Sequence, residues 1–378
     1  MPGRACGLCF PGFIEVAMTK KCILSLAVLF GLSCCSCQFA CAQALRSDQR
    51  VLTDMAGRTV VVPKKIHSVM GMSPVGTVLL YTLSPELLAG WNYQPDPGEL
   101  AFYKEPYRHL PVLGGWYGKN NTANLEVIIQ AHPDVLISMG DPMGIAMADR
   151  VQQQTHIPVF YLDGSLEKLP DAYLKAGELL GNPARAAELA AECRRTLDEI
   201  SSKVATIPPE IRRRVYYAEG PTGLETEPGN SMHSEALIFA GAVNVAAVPG
   251  QQGIGHTPVS MEQVLTWNPD VIVAGYDYIS TPGEFYRKVW TDPAWNHVAA
   301  VRKGQVVEVP QYPFNWIDRP PSVNRIIGIK WVAHLLYPDL FPYDMRAETR
   351  RFYATFYHWN LTDAEFDRLF ATATRKSL

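Results

Sequence analysis

Beyond residue 41 the sequence has almost no cysteine. Of eight cysteines, Cys6, Cys9, Cys22, Cys34, Cys35, Cys37 and Cys41 crowd the start, and Cys193 alone follows. One thiol cannot close an internal disulfide, so the body of the chain must rely on core packing. Nor is any run after Arg50 long and apolar enough to cross a bilayer. With 34 Lys and Arg against 37 Asp and Glu, the formal net charge is -3. That balance excludes the basic stripe of a nucleic-acid binder and the acidic block of a disordered tail. There is no G-x-S-x-G elbow and no G-x-x-x-x-G-K-[ST] phosphate loop. His256 and Asp277 could serve as base and orienter, as any such pair could, but no Ser, His and acid cluster announces a triad, and the chain is read as a non-enzyme. The nine histidines include no close pair and no His-rich loop, so no bare zinc or manganese site and no resident cofactor is expected.

What is present begins with a leader. Met18–Ala44 reads MTKKCILSLAVLFGLSCCSCQFACAQA: two lysines, an apolar stretch of about ten residues and overlapping small-x-small cleavage positions, the layout of a secretory signal peptide. Residues 1–44 are assigned to it, with Met18 as an alternative start. Cys34 immediately before Cys35 is a poor match to a lipid-attachment sequence, so a soluble exported protein is favoured over an anchored one, in the periplasm or its extracytoplasmic equivalent.

After Arg50 short apolar runs (KIHSVMGMS, LLAGWNY, DVLISMG and IPVFYLD) read as buried strands, separated by helical stretches such as 123–131. That alternation predicts an α/β lobe over 45–167 with a mostly parallel sheet. Residues 168–207 are rich in helix formers. Gly181-Asn182-Pro183 interrupts them, with Asn182 as N-cap and Pro183 at the first helical position, leaving one helix of about 24 residues, roughly 36 Å long. Cys193 falls among Ala190, Ala191 and Leu197 and reads as a buried, inert thiol. Strand-helix alternation resumes over 208–378, ending in a helical tail expected to clamp onto one lobe. The outline is two α/β lobes joined by one long rigid helix, with a cleft between them.

One short phrase occurs twice. NLEVIIQAHPDVLISMGD starts at Asn124 and SMEQVLTWNPDVIVAGYD at Ser260, an offset of 136 throughout. Each is a helix ended at Pro-Asp, then a buried strand, and each carries a Glu near the helix start, where a carboxylate suits the helix dipole but packing does not require one. The two lobes therefore read as pseudo-symmetric.

LTDMAGRTVVVPKKIHSVM (52–70), the two repeated phrases and YPFNWIDRPPSVNRIIGIKWVAHLLYP resemble, in that order, segments of the periplasmic substrate-binding proteins that serve ABC importers of iron-siderophores, haem and cobalamin. The resemblance spans about residues 50–341. It implies two lobes bridged by one helix, a preformed cleft that holds the cargo, and one exposed Glu per lobe docking on the two permease subunits; the matching positions are Glu126 and Glu262. A two-fold symmetric permease offers two equivalent basic sites, which paired carboxylates on matched lobes would meet. A ferric siderophore is the first expectation for cargo, then cobalamin, with haem, a nickel chelate or an oxyanion open. A monomer is expected.

Ligands of α/β lobes meet the loops beyond the strand ends. Candidates there are Trp116 and Tyr117 in GGWYGKNN, His233 after EGPTGLETEPGNSM, His256 in GIGHT, Tyr276, and Trp316 and Arg319 in QYPFNWIDR. Aromatics would grip an organic shell, Arg319 would chelate carboxylate or catecholate oxygens, and His256 would ligate metal or hydrogen-bond a chelator. Local pairing of Arg319 with Asp318 is the alternative. Met139, Met143 and Met147 could form a thioether trio, but packing explains them as well.

Overall fold

The computed structural model describes residues 45–117, 122–229, 231–248, 256–275 and 283–376. The leader, Tyr276 and Asp277 lie outside them. A hairpin of β1 (Gln49–Thr53) and β2 (Thr59–Pro63) comes first. Its turn is held by Asp54, whose carboxylate accepts from the amides of Ala56 and Arg58 and, across to the first sheet, from Tyr161.

The first sheet is parallel, in the order β3 (Val69–Gly71), β4 (Val135–Gly140), β5 (Val159–Asp163). The connecting helices are α1 (Pro74–Leu83), the short α2 (Pro97–Leu100), α3 (Leu125–Gln130) and α4 (Met143–Thr155). LLAGWNY, expected as a strand, makes only the isolated bridges Val69–Leu88 and Trp91–Val112. Within it Gly90 packs against Pro111 and Leu113 with no room for a Cβ.

Then α5 (Leu169–Leu180) leads into the 22-residue α6 (Pro183–Val204). Asn182 is the N-cap residue, as expected, but its side chain makes no cap bond; Nδ2 donates to Leu83 O and Ser84 Oγ, tying the helix start to α1.

The second sheet is also parallel, in the order β11 (Val306–Glu308), β10 (Val271–Ala274), β6 (Arg214–Ala218), β8 (Val243–Asn244). A two-stranded antiparallel ribbon, β7 (Glu225–Thr226) with β9 (Thr257–Pro258), stands beside it. The helices here are α7 (Glu235–Phe239), α8 (Met261–Trp267), α9 (Glu284–Lys288) and α10 (Ala299–Arg302), and α11 (Arg325–Leu336), α12 (Met345–Tyr357) and α13 (Asp363–Phe370) end the chain.

The repeated phrase folds alike in both places. Asn124 and Ser260 cap α3 and α8, and β4 and β10 start at Val135 and Val271, all at the 136 offset. The Asp of each Pro-Asp ties down the strand beside it. Asp134 accepts from His67 and Ser68, which lead into β3, and Asp270 accepts from Arg214, the first residue of β6. The motif is thus a register lock between neighbouring parallel strands.

One hydrophobic cluster runs from Val69, Ile137 and Phe160 of the first sheet through Leu189, Cys193 and Ile200 of α6 to Val215, Val271 and Val307 of the second. Cys193 is fully buried, and burial pushes its thiol far above the ordinary range. The tail departs from the expectation of clamping one lobe. Tyr357 and Tyr353 of α12 pack on Tyr81 and Phe102 of the first half, at 6.1 and 5.5 Å between ring centres. Phe370 of α13 packs on Trp316, and Thr372 bonds Glu308 at 2.8 Å, in the second. Two sequence-distant connections, α6 and the tail, therefore join the halves.

Candidate functional site

In the first half Asn92 sets the loops beyond β3. Its Nδ2 donates to Gly71 O (2.7 Å) and Gly114 O (2.9 Å), and its Oδ1 accepts from Thr77 Oγ1 (2.6 Å). That knot fixes the loop bearing Trp116 and Tyr117, whose Trp116 amide donates to Met72 O at 2.9 Å. Trp116 packs against the small cluster of Met70, Met72 and Leu113 and, like Tyr117, is half-buried. Both keep surface for a ligand. Burial and the nearby Asp141 carboxylate raise the Tyr117 hydroxyl above its ordinary range. The methionines diverge: Met139 is buried, Met143 is 60% exposed and Met147 packs partly on the small cluster.

In the second half the loop after β6 and the last loop converge. The β7–β9 register places Thr257 opposite Thr226, so His256 reaches Glu225, Nδ1 to Oε2 at 2.8 Å. Ser231 Oγ donates to Glu227 Oε2 (2.8 Å) and accepts from the His233 amide (3.1 Å). Asn315 Oδ1 accepts from the amides of Ile317 and Asp318, both at 2.9 Å, and so presents Asp318 and Arg319. Asp318 pairs with His233 Nδ1. Arg319 Nε meets Glu219 Oε1 at 3.0 Å and Asp318 Oδ2 at 3.4 Å, and Nη2 meets Glu227 Oε1 at 2.5 Å.

Glu219, Glu227 and Asp318 have no exposed side-chain surface. Their environment sets their charges. Burial raises Glu219 well above the carboxylate range, Arg319 only partly offsets it, and Asp318 and Glu227 raise it further. Burial also opposes ionisation of Asp318, but His233 and Arg319 outweigh it and hold that carboxyl low. Burial opposes the His233 and Arg319 charges too; their carboxylate partners outweigh it and raise both. The cluster is a His233–Asp318 ion pair beside a guanidinium shared by three carboxyls.

Of the six described non-glycine residues with positive φ, His132, His156, Asn268 and His358 close helices, an ordinary place for that conformation. The other two, His256 (φ 53°) and Arg319 (φ 38°), both sit in this cluster, where unfavourable backbone often marks function.

A cavity of 550 Å³, within the range of small-molecule sites, lies beside it. Asp141, Asp163, Ser165 and Glu167 line it from the first half, and Ser231, Met232 and Glu235 from the second. Four of those residues are acids, and no Lys, Arg or His is among the described lining residues. Its floor is stapled: Glu235 accepts from the Leu166 amide at 3.1 Å, and the buried Arg325 bonds Glu235 and donates to Gly164 O at 2.5 Å.

Of the residues singled out in the sequence, the structure thus brings His233, His256 and Arg319 together. Arg319 is not free to grip an anion; its partners are carboxylates, and pairing with Asp318 is part of that arrangement. Trp316 is corrected: it has no exposed surface and lies in the core against Phe370, because the loop turns inward between Phe314 and Ile317. Sequence reading missed Glu219, Glu225, Glu227 and Glu235. The signal was the run EGPTGLETEPGN, which places three Glu in nine residues of a Gly- and Pro-rich strand-end loop. Glu126 and Glu262 are both exposed at the second position of α3 and α8, one in each half. A hydrogen bond to its own backbone and one to Ser260 hold Glu262 below the ordinary carboxylate range.

Comparison with known proteins completes the picture. The family model described as periplasmic binding protein matches residues 114–313. A solved ABC transporter solute binding protein from Sulfurospirillum deleyianum is 33% identical, with TM-score 0.79 over 85% of this chain and 99% of that one. The molybdate-binding protein of Haemophilus influenzae is 24% identical over 340 residues, 82% of this chain and 91% of its own length. A vitamin B12-binding protein of Vibrio campbellii is 25% identical over 260 residues, 67% of this chain and 84% of its own length.

Proposed function

The chain belongs to the periplasmic binding protein family, and from that premise we propose that this solute-binding protein of an ABC importer is exported by its leader and captures a neutral or cationic metal chelate, a ferric siderophore first. It acts by binding and release, without turnover of the cargo. The observation that carries the cargo class is the charge of the cavity. Asp141, Asp163 and Glu167 face it, Glu235 faces it paired with Arg325, and the other guanidinium nearby, Arg319, is already shared by carboxyls. A bare oxyanion such as molybdate would meet negative charge without a free cation to pair it, at high desolvation cost. A chelate offers an organic shell to Trp116 and Tyr117 and a low or positive net charge to the acids. Cobalamin fits the same description and is the second reading.

Glu126 and Glu262 would then dock on the permease, one per half. Because α6 and the tail both join the halves, the cleft is expected to be largely preformed, with small movements on binding.

The test is to purify the exported protein from its native source and identify the co-purifying small molecule by mass spectrometry. Fluorescence titration with the purified chelate should quench the half-exposed Trp116 and spare the buried Trp316, so that Trp116→Phe removes the signal. Tight binding of molybdate, with no binding of ferric hydroxamates or cobalamin, would overturn the proposal.

A further inference from the structure

Glu227, His233 and Asp318 come from segments up to 91 positions apart in the sequence, yet each offers a ligand atom within 4.8 Å of the other two. Donors sharing a tetrahedral ion at about 2.1 Å stand about 3.4 Å from one another. Closing that gap takes side-chain shifts of about an ångström, within the reach of rotamer adjustment.

A second observation points to a ligand. Three buried polar atoms of the same cluster, Glu219 Oε2, Asp318 Oδ2 and Tyr217 Oη, have no hydrogen-bond partner among the described residues, Asp318 Oδ2 having only its 3.4 Å ion-pair contact with Arg319 Nε. Native interiors leave few such atoms, and each asks for an explanation. Tyr217 is fully buried beneath Asp318 and Glu219, and its hydroxyl has room there because Gly275 lacks a Cβ, which would fall 2.6 Å from it.

We propose that Glu227, His233 and Asp318 form a site for one first-row divalent cation, held by nitrogen and oxygen donors, with Glu219 beside it. Imidazole and carboxylate together suit zinc, nickel and cobalt better than calcium or magnesium. The ion takes Asp318 Oδ2, which otherwise meets only Arg319 Nε at 3.4 Å, and a ring nitrogen of His233. It competes with Arg319 for Glu227 Oε1, so the guanidinium acts as the internal cation that the metal displaces. The 13% of the His233 side chain that reaches solvent marks the way in.

The inference does not depend on the chelate reading. A chain that binds the bare ion here but takes up no chelate would sink that reading and leave the ion site standing.

The experiment titrates Co2+ into the metal-stripped protein, following its visible absorption and, in parallel, heat. One ion per chain is expected, with d–d bands of a low-coordinate N/O site. His233→Gln should weaken binding at least 30-fold and Glu227→Gln at least tenfold. Arg319→Met, which removes the competing guanidinium, should tighten it, whereas a merely structural cluster would lose binding with all three changes or bind nothing. His109→Ala, at an exposed histidine, should change nothing. Absence of 1:1 binding to the wild-type chain overturns the proposal, and so does binding unchanged by both His233→Gln and Glu227→Gln. The wild-type titration decides even if a variant fails to fold.

Discussion

Replacing Arg325 by Met tests whether the two halves are held by the staple under the cavity. Arg325 has no exposed side-chain surface. Its guanidinium pairs with Glu235 and donates to Gly164 O at 2.5 Å and Ser322 O at 3.2 Å. Met retains most of the aliphatic volume, so the change removes charge and hydrogen bonds rather than opening a large void. Breaking one side of a buried pair costs about 3–5 kcal/mol. The Glu235 side chain is 28% exposed and keeps the Leu166 amide, so it can be partly rehydrated and the lower end, about 3 kcal/mol, applies. On a chain of this size about 1 kcal/mol moves Tm by about 2 °C, which gives a fall of about 6 °C. Urea unfolding and calorimetry would measure it. Glu235→Gln alone leaves the fully buried Arg325 charge without its counter-charge and should cost about 3–5 kcal/mol, and the double variant should cost less than the sum. A loss under about 1 kcal/mol for Arg325→Met, or strict additivity with Glu235→Gln, would refute the staple as a coupled element.

Other outcomes follow from the same geometry. Glu126→Ala combined with Glu262→Ala should cut cargo uptake at least tenfold while leaving cargo affinity within about twofold, since rim charges guide docking and lie outside the cavity; a collapse of affinity would move these residues into the cleft. Cys193 should resist a disulfide reagent in the folded protein for hours and react at once in urea, because only the thiolate attacks and the buried thiol does not ionise; fast labelling of the native chain would contradict its burial. His358 is held below its ordinary value by burial first, then by Arg185 and Lys104. The folded chain thus keeps it neutral while the unfolded chain protonates it near pH 6.5. Its contribution is full above about 6.5 and is lost as pH falls through the folded value. His358→Asn, which tolerates the left-handed turn at that position, should show a smaller drop in Tm between pH 7 and 5 than the parent; equal slopes would count against this assignment.

The expectations that held rest on neighbours in sequence. The repeated phrase folds as a helix and then a strand in both places, as its spelling requires. The Pro-Asp repeat was visible as a helix stop, but its use as a strand lock was not, because the amides it binds belong to residues 66 and 56 positions away. Asn182 was legible as a helix start, while its side chain went to α1 instead. Trp316 was misread because a Pro-flanked loop aromatic carries no mark of whether its loop turns in or out.

The sequence by itself determined the strand and helix alternation, the twin halves, the bridging helix and the inert thiol, since periodicity, caps and repeats are read within a few residues. Only the tertiary structure decided that the tail returns to the first half, that Arg319 spends its charge on Glu219 and Glu227, and that Glu227, His233 and Asp318 meet. Those contacts join residues up to 276 positions apart, and their energies depend on burial. Burial is a property of the packed whole, and it turns ordinary surface residue types into partners whose charges must answer one another.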